Sequence, residues 1–296
     1  NDPKAFWGEI RSSLGSGKSK TTGDITDEEW VNHFKHVFSS DSAQQPFPEG
    51  RLTDDMQPLL EPLNRPITED EVKGAIKRLK KQKASGCDQI MAEMLKLNST
   101  KSFQFLTKCF NLIFSSGVYP AEWAKSVIVP LHKKGDSNSP DNYRGISLLS
   151  VISKCYTSIL NKRLKDWMEE NEKIVEEQAG FRKGFSTADH IFTLSAIIEK
   201  MLSRNGCKLY VAFIDLAKAF DSVNRVALFE SLIRAGLSGT FFNALKAIYF
   251  SVVSCIKVNN HTTDFFNCPL GLKQGCTLSP SLFSLFINEI ATEMNG

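Results

Sequence analysis

The sequence of 296 residues predicts an α+β fold in which helices pack against an antiparallel sheet. Hydrophobic residues make up 42% of the chain, which at this length is enough for a core in one large domain or two modest ones. Helical and β-rich patterns both occur, and they mix without the strict strand–helix alternation of a parallel α/β fold. The chain contains no internal repeat, so a repeat architecture is excluded.

Helices are predicted where apolar residues recur with a period near 3.6 behind a capping residue. Thr68 is the predicted N-cap of one helix because Glu71 stands at the capping-box position, and this helix should run from Glu69 to about Gly86. An earlier capped helix begins at Thr26. Further helical patterns cover 89–97, 102–115, 149–170, 187–202, 225–235, 240–250 and 280–294.

Strands are predicted for five runs rich in β-branched and aromatic residues. These runs are SVIVPLH, YRGISLL, KLYVAFID, SCIKVNN and TDFFNC. The segment LYVAFID is apolar until its last residue, as expected of a strand that is covered on both faces. Asp215 therefore falls at the end of a predicted buried strand, where a side chain can leave the core.

Composition excludes some protein classes. The net charge of +3 and the pI of about 8.4 argue only weakly for an acidic partner. The seven cysteines stand singly, without the paired spacing of a zinc site or the density of a disulfide framework, which predicts reduced thiols in the cytoplasm or nucleus. No apolar run approaches the ~18–20 residues of a membrane span, and no membrane association is predicted.

Asp215 is a candidate metal ligand. A carboxylate at the end of a strand suits Mg²⁺, which takes oxygen ligands and is often shared between protein carboxylates and substrate phosphates. Two structural roles are equally compatible with the sequence. Asp215 could cap the following turn, or it could pair with Lys218.

The segment GLKQGCTLSP is a second candidate. Gly271 and Gly275 flank a Lys-Gln pair, and a helix follows with Ser279 as N-cap and Pro280 at its first position. Gln274 is a polar side chain in a glycine-relaxed turn that a ligand could approach closely. Taken alone, this pattern is better explained by ordinary turn chemistry.

Basic residues form three further candidates. Lys133 and Lys134 follow one predicted strand and Arg144 opens the next, so a two-stranded tip could clamp phosphates, although a solvated hairpin tip is the commoner explanation. Arg182 and Lys183 lie in a glycine-bounded turn before a helix capped by Ser186 or Thr187. The run KGAIKRLKKQK carries six positive charges, which most often mark a solvated helix face.

The order of these motifs is distinctive. KASGCD, KKGD with NYRGISLL, QAGFRKGFSTADHI, FIDLAKAFDSV and GLKQGCTLSPSLF follow one another with spacings that resemble the reverse transcriptase domain of LINE-type (non-LTR) retrotransposons. The resemblance covers about residues 68–293. It implies a right-hand polymerase fold with fingers, an incomplete palm with an antiparallel sheet, and no thumb in this chain. The implied regions are an arm over 1–60 that follows an endonuclease, fingers with part of the palm over 61–205, and palm over 206–296.

The resemblance also implies the chemistry. Two Mg²⁺ ions would assist the attack of a primer 3′-hydroxyl on a deoxynucleoside triphosphate, with Asp215 and the Leu216 carbonyl as metal ligands. Phe220 matches the steric gate against a ribose 2′-hydroxyl, whereas Asp221 matches the family pattern but is expected to brace the strand end. Arg144 and either Lys133 or Lys134 match the triphosphate contacts.

Three further features follow from the same resemblance. Gln274 and Gly275 match the turn that lines the nucleotide pocket. Arg182 and its neighbour Lys183 match a block that holds nucleic acid. Gly145 departs from the family, which usually has proline there, and is expected to loosen the strand that carries Arg144.

The larger departure is the lack of a downstream Asp-Asp hairpin, so we expect a portion of a longer polyprotein, inactive by itself, with an upstream endonuclease and a downstream thumb. The favoured hypothesis is an enzyme that copies an RNA template into DNA from a DNA primer at a nicked target. The alternative is a non-catalytic nucleic-acid-binding remnant. A group II intron maturase or a viral RNA polymerase fits the motifs less well.

Overall fold

Eleven α-helices and five β-strands are present in the computed structural model, which describes residues 24–39, 46–50, 53, 56–97, 99–204, 206–258 and 261–295. The helices are α1 (Asp27–Val37), α2 (Gln57–Asn64), α3 (Glu69–Arg78), α4 (Ala92–Lys96), α5 (Thr100–Ser116), α6 (Ala121–Ala124), α7 (Val151–Glu170), α8 (Thr187–Leu202), α9 (Arg225–Arg234), α10 (Gly239–Phe250) and α11 (Ser279–Asn295). The strands are β1 (Lys125–His132), β2 (Tyr143–Leu149), β3 (Val253–Val258), β4 (His261–Thr262) and β5 (Phe266–Asn267). Residues 1–23 of the predicted arm lie outside the described residues.

The sheet is mixed, with the order β2-β1-β3-β4 and with β5 also paired to β3. The β1–β2, β3–β4 and β3–β5 pairs are antiparallel, as predicted, but β1 and β3 run parallel from Lys125↔Val253 to Ile128↔Ile256. Parallel neighbours need a long crossover, and the four helices α7 to α10 provide it. The prediction of an antiparallel sheet therefore holds for three of the four described strand pairs and not for β1 and β3.

One hydrophobic core connects the described parts of all three predicted regions. Trp30 of α1, Tyr156 of α7 and Tyr249 of α10 are fully buried in it, together with Ile128 of the central strand β1. Helix α7 contacts α2 and α3 on one side of this core, while α9 and α11 pack together elsewhere. None of the helices in the described residues is long and apolar enough to cross a membrane.

The segment before Asp215 differs most from its prediction. Residues 207–216 form no strand, and the side chains of Tyr210, Phe213 and Ile214 are more than 80% exposed. An apolar run becomes a covered strand only if another strand pairs with it, and no described residue pairs with this one. The expected buried strand is therefore absent. Helix α8 forms as predicted but buries none of its residues.

Helix α3 is shorter than predicted. It ends at Arg78, and Leu79 has φ −57° and ψ 136°. The following Lys-rich residues are good helix formers, but packing overrides that preference. Gly86 lies so close to the start of α7 that an added Cβ would be 2.5 Å from the Ser150 nitrogen.

Glu71 and Arg163 connect the start of α3 to α7. Glu71 accepts from the Thr68 backbone N–H, which completes the predicted capping box, and its carboxylate also receives two hydrogen bonds of 2.7 and 2.8 Å from Arg163. The buried Arg163 guanidinium donates further to the carbonyls of Leu63, Arg65 and Pro66. One ion pair thus fixes the α2–α3 junction against α7.

The pKa of Glu71 is lowered to about 2. Burial by itself raises this pKa, but the hydrogen bonds from Arg163 and Thr68 and the charge of Arg163 together outweigh it. Because the pKa is lower in the folded than in the unfolded chain, the stabilisation is present above pH about 4.5 and is lost as the pH falls toward about 2.

We therefore expect Glu71→Gln to lower the free energy of unfolding at pH 7 by on the order of 3 kcal/mol, because the ionised carboxylate is lost and Arg163 stays buried. Urea unfolding at pH 7 and pH 3 measures this difference, which should shrink at the lower pH. The control is Glu69→Gln in the same turn, whose partner Lys73 is largely exposed and whose cost should stay below about 1 kcal/mol. Equal costs for the two variants at pH 7 would contradict the assignment.

Candidate active-site cleft

A cleft of about 690 Å³ opens between helix α1, the β1–β2 hairpin, the loop at residues 215–221 and the turn at residues 273–276. Seven of the ten predicted site residues line it: Lys133, Arg144, Asp215, Leu216, Phe220, Gln274 and Gly275. Lys134, Arg182 and Lys183 do not line it. Motifs that are up to about 140 residues apart in the chain therefore meet in one place.

Lys133 and Arg144 lie at the open end of the β1–β2 hairpin. The strands pair without interruption from Ser126↔Leu149 to His132↔Tyr143, and the Lys133 N–H donates to the Asn142 carbonyl at 2.9 Å. Both basic side chains are exposed and neither has a hydrogen-bond partner among the described residues. The strand is regular across Gly145, so the expected loosening at this position was wrong.

The loop that follows residue 214 presents Asp215 to the cleft. Its carboxylate is exposed and has no hydrogen-bond or ion-pair partner in the described part of the chain. Lys218 instead lies 3.7 Å from Asp141, between Nζ and Oδ1, so it is not paired with Asp215. A tight turn follows, in which the Asp221 N–H donates to the Lys218 carbonyl at 2.8 Å.

Phe220 is half-buried at the wall of the cleft. Its ring stacks on Phe283 of α11 with the centroids 4.8 Å apart, and it meets the edge of Phe181 at 6.0 Å. The Phe220 carbonyl accepts from the Leu272 N–H at 2.8 Å. Packing and backbone contacts thus restrict both the position and the rotation of this ring.

The Gln274–Gly275 turn is attached to two of the other cleft walls. The Gln274 amide nitrogen lies 2.7 Å from each oxygen of Asp221, and the Gln274 carbonyl accepts from the Ser147 N–H of β2 at 2.9 Å. Gly275 has φ +119°, and an added Cβ would lie 2.6 Å from the Ser147 carbonyl oxygen. Only glycine fits this close approach without strain.

Asp221 contacts the Gln274 amide, and the strand end that it was expected to brace is absent from the structure. Burial raises the pKa of Asp221, although the hydrogen bond from Gln274 and the charges of Lys218, Lys133 and Arg144 oppose the rise. Both carboxylate oxygens are occupied by Gln274.

Two buried cations at the cleft were not predicted as functional residues, although Lys273 belongs to the GLKQGCTLSP motif and lines the cleft. Arg225 donates to the carbonyls of Gly271, Leu270 and Tyr249 at 2.9–3.1 Å, and burial lowers its pKa to about 10. Lys273 donates to the Ala124 carbonyl at 3.2 Å, and burial lowers its pKa to about 8. Both fix the backbone on either side of residue 272. The only signal for Arg225 was an arginine at the start of an otherwise apolar helix.

Residues 131–296, more than half of the chain, match the family described as reverse transcriptase (RNA-dependent DNA polymerase). The chain belongs to the reverse transcriptase family. This match confirms the resemblance seen in the motifs, and relatives from transposable elements support the LINE-type assignment and not the alternative of a non-catalytic remnant.

Three relatives of this reverse transcriptase chain illustrate the assignment. It is 30% identical over 228 residues to the "Probable RNA-directed DNA polymerase from transposon BS" of Drosophila melanogaster, which covers 76% of this chain and 25% of the relative. It is 27% identical to the "RNA-directed DNA polymerase from mobile element jockey" of the same species, with the same coverage. It is 27% identical to the "Retrovirus-related Pol polyprotein from type-1 retrotransposable element R2" of Popillia japonica over 78% of this chain and 31% of the relative. The chain thus spans about a quarter to a third of the length of these relatives.

Reverse transcriptases generally use divalent metal ions, which carboxylate side chains bind. Within the described residues no three His, Cys, Asp or Glu side chains are grouped closely enough to hold a metal ion. Asp215 provides one free carboxylate, and Asp221 is engaged by Gln274. These residues do not form a metal site by themselves.

Arg182 and Lys183 of the reverse transcriptase chain do not line the cleft, although the preceding residue Phe181 contacts Phe220 at its wall. The Arg182 guanidinium donates to Glu169 at 2.9 and 3.2 Å and to the Val175 carbonyl at 3.2 Å, and it covers the ring of Phe185. The hydrogen bond with Glu169 raises the pKa of Arg182. Lys183 is exposed. Arg182 thus joins the 175–185 turn to α7.

The contact between Gly275 and Ser147 predicts the effect of adding one methyl group. Gly275→Ala should lower the free energy of unfolding by about 3 kcal/mol, because the backbone is in a conformation that disfavours side chains and the Cβ meets a carbonyl oxygen. The control is Gly117→Ala at the end of α5, where φ is +66° but no atom lies within 4 Å, and its cost should be about 1 kcal/mol. Chemical unfolding of both variants tests this, and equal costs would contradict the close contact.

Proposed function

We propose that this chain forms the nucleotide-binding part of an RNA-directed DNA polymerase from a non-LTR retrotransposon. The observation that carries the proposal is the cleft itself, where Lys133, Arg144, Asp215, Phe220 and Gln274 meet from three separate motifs. Family membership supports the same function. The proposed substrates are deoxynucleoside triphosphates, an RNA template and a DNA primer. The proposed location of the protein is the cytoplasm and the nucleus.

In this proposal the β1–β2 hairpin belongs to the fingers, and the loop at 215–221 with the turn at 273–276 belongs to the palm. The boundary near residue 205 separates these regions in sequence, while the core joins them in space. A thumb and an endonuclease would be supplied by other parts of a longer polyprotein. The short coverage of the relatives is consistent with such an arrangement.

The residues of the cleft have distinct proposed roles. Arg144 and Lys133 are exposed cations without hydrogen-bond partners among the described residues, so they are free to bind the triphosphate, Arg through paired hydrogen bonds and Lys as a point charge. The fixed ring of Phe220 would meet the sugar and exclude a 2′-hydroxyl. The Gln274–Gly275 turn would form the floor beneath the base and sugar.

Asp215 and the Leu216 carbonyl are proposed to contribute to a site for two Mg²⁺ ions. Such a site needs at least one further carboxylate, which the described residues do not provide. Lys183 is proposed to contact nucleic acid through its exposed charge, and Arg182 to hold the turn in place for that contact.

The two adjacent lysines give a matched pair for testing triphosphate binding. Lys133 lines the cleft and Lys134 does not, so Lys133→Ala should weaken binding of a labelled deoxynucleoside triphosphate about tenfold, because a charge-assisted contact is lost. Lys134→Ala removes the same charge and should bind nearly as well as the wild type. Fluorescence anisotropy at one fixed ionic strength measures both. Equal weakening would show that overall charge, not the cleft, binds the nucleotide.

Primer extension tests the polymerase activity. A longer version of the protein that continues through an Asp-Asp hairpin should extend a DNA primer on an RNA template with Mg²⁺, and Asp215→Asn should reduce the rate by about 100-fold or more because a carboxylate is lost. The 296-residue chain by itself should show no extension. Equal activity of wild type and Asp215→Asn would refute the role of Asp215, and extension by the 296-residue chain would refute the need for a further carboxylate.

A further inference from the structure

Helix α1 packs against the strand that carries Arg144, and its residues His33, Phe34 and Val37 also line the cleft. Trp30 meets the ring of Tyr143 edge-on with the centroids 4.9 Å apart, and the Phe34 ring lies against Gly145. A Cβ added at Gly145 would lie 2.6 Å from Phe34 Cε1 and 3.1 Å from Cζ. Phe34 therefore occupies the space that a side chain at position 145 would need.

The alternation of the strand explains why this contact matters for the cleft. Tyr143 is buried and Gly145 half-buried, and both face α1, whereas Arg144 between them is exposed. Successive side chains of a strand point to opposite faces, so α1 supports the face of β2 opposite to Arg144. The direction of the Arg144 side chain thus depends on the packing of Tyr143 and Gly145 against α1.

A polar contact extends this support to the loop that carries Asp215. Asp141, just before β2, lies 3.7 Å from both His33 Nδ1 of α1 and Lys218 Nζ of the loop. The Asp141 side chain is 74% exposed, so solvent screens these pairs. The buried aromatic contacts of Trp30 and Phe34 are the stronger connection.

We propose that Phe34 is a positioning residue for the nucleotide cleft, acting through Gly145 to hold Arg144 at the triphosphate. This proposal rests on the proposed function and extends it to α1, which lies before residue 61 in the region predicted as an arm. It also explains Gly145, because any side chain here would displace Phe34 or the Ile128 methyl, which would be only 2.9 Å away.

A double substitution tests the contact between residues 34 and 145. Phe34→Leu removes the two ring atoms nearest to position 145, and Gly145→Ala adds the methyl group that those atoms exclude. Each single variant should weaken binding of a labelled deoxynucleoside triphosphate about tenfold in the full 296-residue chain, because Arg144 is misplaced. The double variant should bind more tightly than Gly145→Ala, because the methyl group enters the space left by the ring.

The control is Phe110→Leu, the same change at a fully buried ring of α5 that packs on Trp123 and Tyr156 and does not line the cleft. It should lower the melting temperature and leave nucleotide affinity unchanged. Wild-type affinity in a folded Phe34→Leu variant, or purely additive effects in the double variant, would overturn the positioning role.

A second pair of measurements separates this inference from the proposed function. Arg144→Ala should abolish most of the nucleotide affinity, and if it binds like the wild type the proposed function fails. In that case the rate of amide hydrogen exchange at Lys133 tests whether Phe34 holds the hairpin in place. This N–H donates to the Asn142 carbonyl, so its exchange reports on opening of the hairpin. Faster exchange in Phe34→Leu than in Phe110→Leu supports a role of α1 in holding the hairpin, and equal exchange overturns it.

Discussion

The cleft depends on the paired hydrogen bonds from the Gln274 amide to the Asp221 carboxylate. They join the turn at 273–276 to the loop that carries Asp215 and Phe220, and the Gln274 carbonyl joins the same turn to β2 through Ser147. Both carboxylate oxygens of Asp221 lie within hydrogen-bond distance of the Gln274 amide, and Asp221 is half-buried, so an unpaired charge here would be costly. The bond from the Leu272 N–H to the Phe220 carbonyl provides a second connection between the same turn region and the loop.

Buried cations also hold the backbone around the turn at 273–276 in place. Arg225 and Lys273 donate to main-chain carbonyls instead of carboxylates, and burial lowers both pKa values. Arg163 holds the α2–α3 junction in a similar way, although it also pairs with Glu71. In each case a cation satisfies carbonyls in the last turn of a helix or in irregular backbone, where the chain itself provides no donor. The irregular segments around the cleft are thereby held in one conformation.

The exposed surfaces contrast with this rigid cleft floor. Helix α8 buries none of its residues and the apolar run over 207–216 remains unpaired, yet Asp215 lies at the end of that run and lines the cleft. The opposite wall is well supported, since α1 packs against β2 through Trp30 and Phe34, and Phe34 also lines the cleft. The hairpin with Arg144 is thus seated on the core, whereas the segment that leads into Asp215 is not.

The sequence by itself determined the features that depend on neighbours along the chain. The Thr68–Glu71 capping box, the start of the helix at Thr26, and the strands around Lys133 and Arg144 form as predicted because capping and strand alternation are local. The motif order also located seven of the residues that line one cleft.

Only the tertiary structure decided which segments pair and what each charge contacts. It made β1 and β3 parallel, left 207–216 without a partner, ended α3 at Arg78, and turned Arg182 toward Glu169. It also placed Lys133 and not Lys134 in the cleft, and Phe34 against Gly145. These outcomes depend on contacts between residues far apart in the chain, and neither local propensity nor periodicity contains that information.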